Sequence, residues 1–473
     1  MNYPLEPSRQ DMADLGQAAV GFVADFIAGL DHAPASDLTA SDLTASDPLI
    51  RHMRQPPAES PAGFGELLTS VGTAAAKAVE TAGPRYVAYI PGGGLFVSAL
   101  AEFIARSLNR YTGLAGLAPA LVALEDGVTR WLCDQFGLPE TAGGLITTGG
   151  SMATLSAVVA ARHRMLGEQI ADGTIYLTEH THHCLVKAAR IAGLPARAIR
   201  TVPCTDDLRM DTDAVARMIA RDRADGARPF LLAVNAGTTD SGTIDPLTEL
   251  GRLARREDMW FHVDAAYGGF FQLTERGRSR LAGISEADSI VLDPHKGLFL
   301  PYGTGVLLVR DVAPLAAAHS GDAHYLQDLG TDGGTDGGLP DYGALGPELT
   351  REFRGLRLWL PLHLHGVAAF RAALDEKLDL AAHAYRDLAA DANLELPWAP
   401  DLSTIVFRGK GGGDDANRRL LGDINATGEA FLSSTRIRDK TTLRLCVLSH
   451  RTHREHLDPM LAVIHAAARK QPM

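Results

Sequence analysis

From about residue 120 to 309 the chain alternates short apolar runs with amphipathic helical stretches. Nothing else in it narrows the possible folds as much. A helix over about 119–136 precedes the strand-like Gly143-Gly144-Leu145-Ile146-Thr147, and a helix follows to about 166. Further strands are expected at 174–178, 197–202, 230–235, 259–263, 289–292 and 305–309. Such alternation predicts an α/β fold, a mostly parallel sheet with helices on both faces. Functional residues should then lie at the carboxyl ends of strands. After about 350 the pattern changes to one long helix (348–390), strands at 403–408, 430–436 and 442–448, and a closing helix at 451–469. That reads as a smaller α+β domain. Upstream, Met12, Leu15, Ala19, Val23, Phe26, Ile27 and Leu30 fall at helical spacing, and a second helix is expected over about 63–80. The duplicated SDLTA of residues 36–47 reads as a solvated linker. At 473 residues the chain is too long for one core. The expected division is an N-terminal helical segment (1–82), a large domain (83–350) and a C-terminal small domain (351–473).

Two strand ends carry unusual chemistry. Ser289-Ile290-Val291-Leu292-Asp293-Pro294-His295-Lys296 places a lysine just beyond an apolar run. Desolvation there is expected to lower its pKa and free the amine for Schiff-base formation. Taken alone, a His-Lys pair is more often a solvated surface feature. The earlier run Trp260-Phe261-His262-Val263-Asp264-Ala265-Ala266-Tyr267 ends in an acid followed by small residues. Together they suit a pyridoxal phosphate (PLP) site, where an acid keeps the ring nitrogen protonated and a lysine holds the aldehyde as an imine. Thr147-Thr148-Gly149-Gly150-Ser151 joins a strand to a helix, so its backbone can approach a phosphate at the helix N-terminus. Ser151 could instead simply cap that helix.

These stretches resemble the group II amino-acid decarboxylases typified by aromatic-L-amino-acid decarboxylase, which are fold-type I PLP enzymes. His-Val-Asp-Ala-Ala-Tyr and Pro-His-Lys carry the resemblance, and it extends to Arg444-Leu-Cys-Val-Leu-Ser-His450. It implies Lys296, His182 and Tyr342 as catalytic residues. It also implies Gly150, Ser151, His182, Thr238, Asp264, Ala266, His295 and Lys296 around the cofactor. His182 would stack on the ring, and Tyr342, eleven residues before Phe353, would be a mobile-loop tyrosine that protonates the substrate carbanion. Related aldehyde synthases have Phe at that position, so Tyr342 points to an amine product. The Gly- and Asp-rich segment 319–347 would be a lid or a disordered loop. Tyr86, Tyr89 and Ile90 resemble the substrate pocket wall, Leu114 a wall lent by a partner subunit, and Tyr302 a residue reaching across a dimer interface. A homodimer follows from the resemblance, with the N-terminal helix wrapping the partner. Asp293 departs from the animal enzymes, which carry Asn, and Gly92-Gly93-Gly94 stands where they have larger residues.

Composition limits the alternatives. Net charge is −12, which argues against nucleic-acid or anionic-membrane surfaces, and no run is long and apolar enough to span a membrane. Four scattered cysteines suit a reducing, cytoplasmic setting and form no zinc motif. His180, His182 and His183 do not share one face, so no metal is expected. The expected activity is decarboxylation of an L-amino acid, with Trp, Tyr, Phe or dopa preferred. Arg85 and Arg110 keep Glu and Asp open, and an aldehyde synthase, an aminotransferase and a cofactor-binding regulator remain as alternatives.

Overall fold

The strand runs of the central region form β1 (Gly143–Thr147), β2 (Gly173–Thr178), β3 (Ile199–Val202), β4 (Arg228–Asn235), β5 (Trp260–Asp264), β6 (Ser289–Leu292) and β7 (Gly305–Val309). In this computed structural model, which describes residues 5–36, 44–321 and 338–470, they make one sheet in the order β1-β7-β6-β5-β4-β2-β3. Pairs from β3 through β6 are parallel, whereas β7 runs antiparallel to both β6 and β1. The reason is the short connection from β6 to β7, residues 293–304, which has no room for a crossover helix.

Burial on both faces explains the unbroken apolar runs. Leu232, Val234, Ile290, Leu292, Val306 and Leu308 pack into one core. Their neighbours Val291, Leu307 and Val309 pack on the opposite face against Ala153, Ala157 and Ala160 of helix Gly150–Leu166. The small alanines let this helix lie close to the sheet beneath its carboxyl edge.

The C-terminal part holds a second, antiparallel sheet of β8 (Leu394–Glu395), β9 (Thr404–Gly409), β10 (Ser433–Ile437) and β11 (Lys440–Cys446), in the order β10-β11-β9-β8. Helices Val367–Ala389, Gly413–Asn425 and Arg454–Arg469 cover it through Leu380, Ala384, Leu420, Ile424 and Ile464. The expected single helix over 348–390 is two, Leu356–His365 and Val367–Ala389. Gly366, at φ 73° and ψ 150°, breaks it, a conformation glycine adopts without strain. At the other end of the chain, helix Arg9–Gly29 begins at Ser8, whose hydroxyl and the Asp11 carboxylate form a reciprocal capping box. None of its residues is buried, and Met12, Leu15, Val20 and Phe26 are exposed. The second helix stops at Ala75, short of the expected residue 80. Most of the SDLTA duplication, and residues 322–337 of the glycine-rich segment, lie outside the described residues.

Candidate active site

At the carboxyl edge of the large sheet, the ends of β1, β2, β4, β5 and β6 surround a cavity of about 380 Å³. Gly150, Ser151, His182, Thr238, Asp264, Ala266, His295, Lys296 and Tyr302 all line it. Neighbouring strands set the spacing of its floor, since Asp264 is in register with Asn235 on one side and Val291 on the other.

Lys296 closes the first turn beyond β6, a short helix (Pro294–Gly297). Its Nζ lies 2.9 Å from Asp293 Oδ2. Burial works to lower the ammonium's pKa, but Asp293 and then Asp264 outweigh it and leave the pKa raised. The expectation that desolvation alone would free this amine is therefore corrected: an ion pair holds the proton. His295 Nδ1 donates to the Thr304 carbonyl oxygen at 2.6 Å, which leaves Nε2 as the acceptor, and its ring meets Tyr302 edge-on at 5.8 Å. Burial lowers the His295 pKa, so it is neutral at pH 7.

Gly149, at φ 147°, is the N-cap of helix Gly150–Leu166, and no side chain caps that helix. The reading of Ser151 as a simple cap is thus set aside, and the first backbone N–H groups of the helix face the cavity. A Cβ at Gly150 would lie 3.0 Å from both Asp293 carboxylate oxygens, so glycine is what lets these segments meet.

His182 caps helix His183–Ile191: its Nδ1 accepts from the Cys184 N–H at 3.4 Å, which puts the proton of the neutral ring on Nε2. Burial, against a partial counter-effect of Asp264, lowers its pKa. Burial also pushes the cavity thiol of Cys184 up to about 12, so it is no nucleophile. Thr238 is buried in a turn fastened by its own N–H to Thr243 O (2.9 Å) and by Oγ1 to Ser241 Oγ (2.9 Å). Asp264 Oδ1 accepts from the Ala266 N–H at 3.1 Å, which aims the carboxylate.

The outer wall departs from expectation. Tyr342 does not line the cavity. Its side chain is 1% exposed, packed with Val122, Leu145 and Leu345, with the Arg351 guanidinium 4.6 Å over its ring. Burial, with Glu125 and Asp126 nearby, holds its phenol well above the usual range, against a smaller opposite effect of the Thr129 side chain beside its hydroxyl. In this placement Tyr342 does not reach the cavity, and its expected part in protonating the substrate belongs to the loop's position rather than to the floor of the site. Ile90 belongs to the main core with Leu298 and Leu300, and Leu114 is 6% exposed, so neither faces the cavity within one chain. Tyr86 stacks on Phe431, just before β10, at 5.9 Å, while Tyr89 is exposed. The triple glycine does not simply enlarge the pocket, because a Cβ at Gly92 would collide with the His295 carbonyl oxygen.

One element has no local signal in the sequence. Asp240 receives His180 (3.2 Å) and Thr435 (2.6 Å), and Arg444 donates to the carbonyl oxygens of Asp240, Thr239 and Tyr89. Thus β11 of the small sheet clamps the loop that carries Thr238. Apart from His180–Asp240, the contacts span about two hundred residues or more, which no motif spacing reveals.

A lysine and a carboxylate converging on one cavity, a neutral imidazole, and a helix N-terminus opened by glycine fit a phosphorylated aldehyde cofactor. Comparison with known proteins agrees. Residues 51–410 match the pyridoxal-dependent decarboxylase conserved domain. The chain is 32% identical to an aromatic-L-amino-acid decarboxylase of Bacillus atrophaeus over 99% of this chain and 98% of that one. It is 27% identical to a phenylacetaldehyde synthase of Arabidopsis thaliana, covering 97% and 96%. The crystal structure of Oryza sativa TDC with PLP and tryptamine superposes with a TM-score of 0.92 at 25% identity, covering 99% of each chain. The chain therefore belongs to the pyridoxal-dependent decarboxylase family. It is an amino-acid decarboxylase, a lyase whose cofactor is PLP.

Proposed function

We propose that this enzyme decarboxylates an aromatic L-amino acid, one of Trp, Tyr, Phe or dopa, to the amine and carbon dioxide. The observation that carries the substrate class is the charge of the cavity: among the described residues lining it, Lys296 is the only lysine or arginine. Arg85 is engaged with the Asp31 and Ala33 carbonyls and Glu429. Arg106 and Arg357, in the adjoining cleft behind Tyr302, each pair with both Glu102 and Glu352. A second carboxylate on the substrate would meet no free cation there, whereas an aromatic side chain needs none. The likeness to the Bacillus atrophaeus enzyme supports the same class.

Bound in this cavity, PLP supplies an electron sink for the carbanion left when carbon dioxide departs. Lys296 anchors its aldehyde, and Asp264 holds a proton at the ring nitrogen. Gly150 and Ser151 offer N–H groups to the phosphate, with His295 beside them and its Nδ1–H held by the Thr304 carbonyl oxygen, while Thr238 and Ala266 line the ring. His182 covers the ring face and carries a proton on Nε2 for the substrate α-carbon. With Tyr342 displaced from the site, preference for an amine over an aldehyde product rests on His182 and on the higher identity to the decarboxylase. The same proposal includes a cytoplasmic homodimer, divided at residues 82/83 and 350/351. In it helix Arg9–Gly29 wraps the partner through its exposed apolar residues, and Tyr302, 61% exposed at the rim of the cavity, lies at the interface, while Leu114 reaches the partner's site only if its burial in one chain is relieved.

The test is purified enzyme with PLP and a panel of L-amino acids, with products identified by mass spectrometry and oxygen uptake followed. Tryptamine, tyramine, phenethylamine or dopamine without oxygen uptake is the expected result. Turnover of Glu or Asp alone would overturn the substrate class, and aldehyde with ammonia and peroxide would overturn the product.

A further inference from the structure

Asp293 stands at the meeting point of the lysine and the helix N-terminus, and its surroundings are unbalanced. The side chain is 5% exposed. Oδ2 faces Lys296 Nζ at 2.9 Å and His295 Nε2 at 3.7 Å. Oδ1 is buried and makes no hydrogen bond among the described residues. Both oxygens crowd Gly150, the first residue of the helix whose N–H groups are assigned above to the phosphate. The other titratable groups facing this point are Asp264 at the end of β5, His182 and Cys184 at the start of helix His183–Ile191, and Tyr302. None of these supplies a second cation to offset a phosphate dianion placed beside Asp293. The Asp293 carboxylate and a phosphate dianion would then share the one Lys296 cation, where the Asp293 side chain itself is 5% exposed.

We propose that Asp293 is the proton-linked gauge of cofactor loading: binding of the phosphorylated cofactor takes up a proton that Asp293 then holds against the phosphate, through the oxygen that otherwise has no partner. The inference rests on the placement of the phosphate at Gly150 and Ser151. Its physical basis is that like charges forced together in a desolvated site neutralise by protonation rather than persist. An amide at this position would donate to the phosphate with no proton needed. Cofactor affinity should therefore fall with rising pH in this enzyme, by up to about tenfold per pH unit, through a carboxyl absent from an Asn-bearing site.

The experiment counts protons. Full-length apoenzyme, wild type and Asp293→Asn, is titrated at pH 8 in weakly buffered solution with an indicator dye. Two probes are used: pyridoxal 5'-phosphate, and pyridoxal, which has the same aldehyde but no phosphate. Proton changes at Lys296 are common to both probes and cancel in their difference. The free phosphate is already a dianion at pH 8. Wild type should take up about one proton more per site with the phosphorylated probe than with pyridoxal, and Asp293→Asn should show no such difference. Equal uptake with the two probes in wild type would overturn the proposal, and this reading needs no variant to fold. The same excess proton in Asp293→Asn, or in Asp293→Ser if the amide variant fails to fold, would also overturn it by placing the proton elsewhere. If the two probes bound with equal affinity to wild type, the phosphate placement would fail instead.

Discussion

The floor of the cavity and its outer wall are built by different means. Floor residues stand on strand ends or on the first turn after one, so backbone pairing fixes them to each other: Asp264 by its register with β4 and β6, Lys296 by the turn leaving β6, Gly150 by the turn leaving β1. Wall residues come from segments distant in sequence and from loops. Of the five proposed for the substrate side, only Tyr302 faces the cavity within one chain. Chemistry resides in the rigid part, and selectivity is left to the part that packing between segments, and between chains, must assemble.

The sharpest way to break this contrast is to remove the floor. Lys296→Ala should lower decarboxylation by at least about a thousandfold in steady-state assays, and should also lower the melting temperature, because it leaves the buried Asp293 carboxylate without its ion-pair partner. If turnover survived, the floor would not hold the chemistry. Asp264→Asn, whose amide can still face the Ala266 N–H through its oxygen, should cost on the order of a hundredfold in kcat with KM little altered.

Stability sharpens the comparison from the other side. Gly92→Ala drives a Cβ into the His295 carbonyl and should destabilise the protein by about 1–3 kcal/mol in urea, and should weaken cofactor retention. Gly94→Ala, at φ 64° but facing open space, should cost only about 1 kcal/mol from backbone strain and leave retention intact.

His262, buried under the floor, gives a pH signature. Desolvation lowers its pKa to about 4, below the value near 6.5 of the unfolded chain. Its contribution is complete above pH 6.5 and is lost as pH falls toward 4, a difference of about 3 kcal/mol at most. Urea midpoints measured from pH 7 to 4 should fall less steeply in His262→Phe than in wild type. The smallest effect belongs to Tyr342→Phe. Deleting a buried hydroxyl whose polar neighbour, Thr129, also bonds the Asp126 carbonyl should shift stability by about 1 kcal/mol and turnover by less than about threefold, with the amine still the product. A collapse of turnover would return Tyr342 to the site.

What could be read from the sequence follows the same division. The strands of the large sheet fell within a few residues of expectation because their apolar runs are buried on both faces and bounded by polar turns. The floor residues were legible because each is tied to a strand end by local geometry. The burial of Tyr342 could not be read, because spacing along a chain says nothing of burial: it packs beneath Arg351, although its distance to Phe353 suits a loop. The proton on Lys296 was misjudged for a related reason, since the sign of its shift depends on where the Asp293 carboxylate points. The helix break at Gly366 went unseen because the flanking residues keep helical periodicity on either side of it.

The Arg444 fork has a consequence for how such proteins can be recombined. Because one side chain of β11 holds the backbone of Tyr89, Thr239 and Asp240 at once, the two sheets are mechanically one part. A chimaera joined near residue 350 inherits the cavity from one parent and the hand that holds it from the other. Pairs of parents that agree at Ser433, Thr435 and Arg444, and in the 238–241 loop, are the ones whose halves can be exchanged.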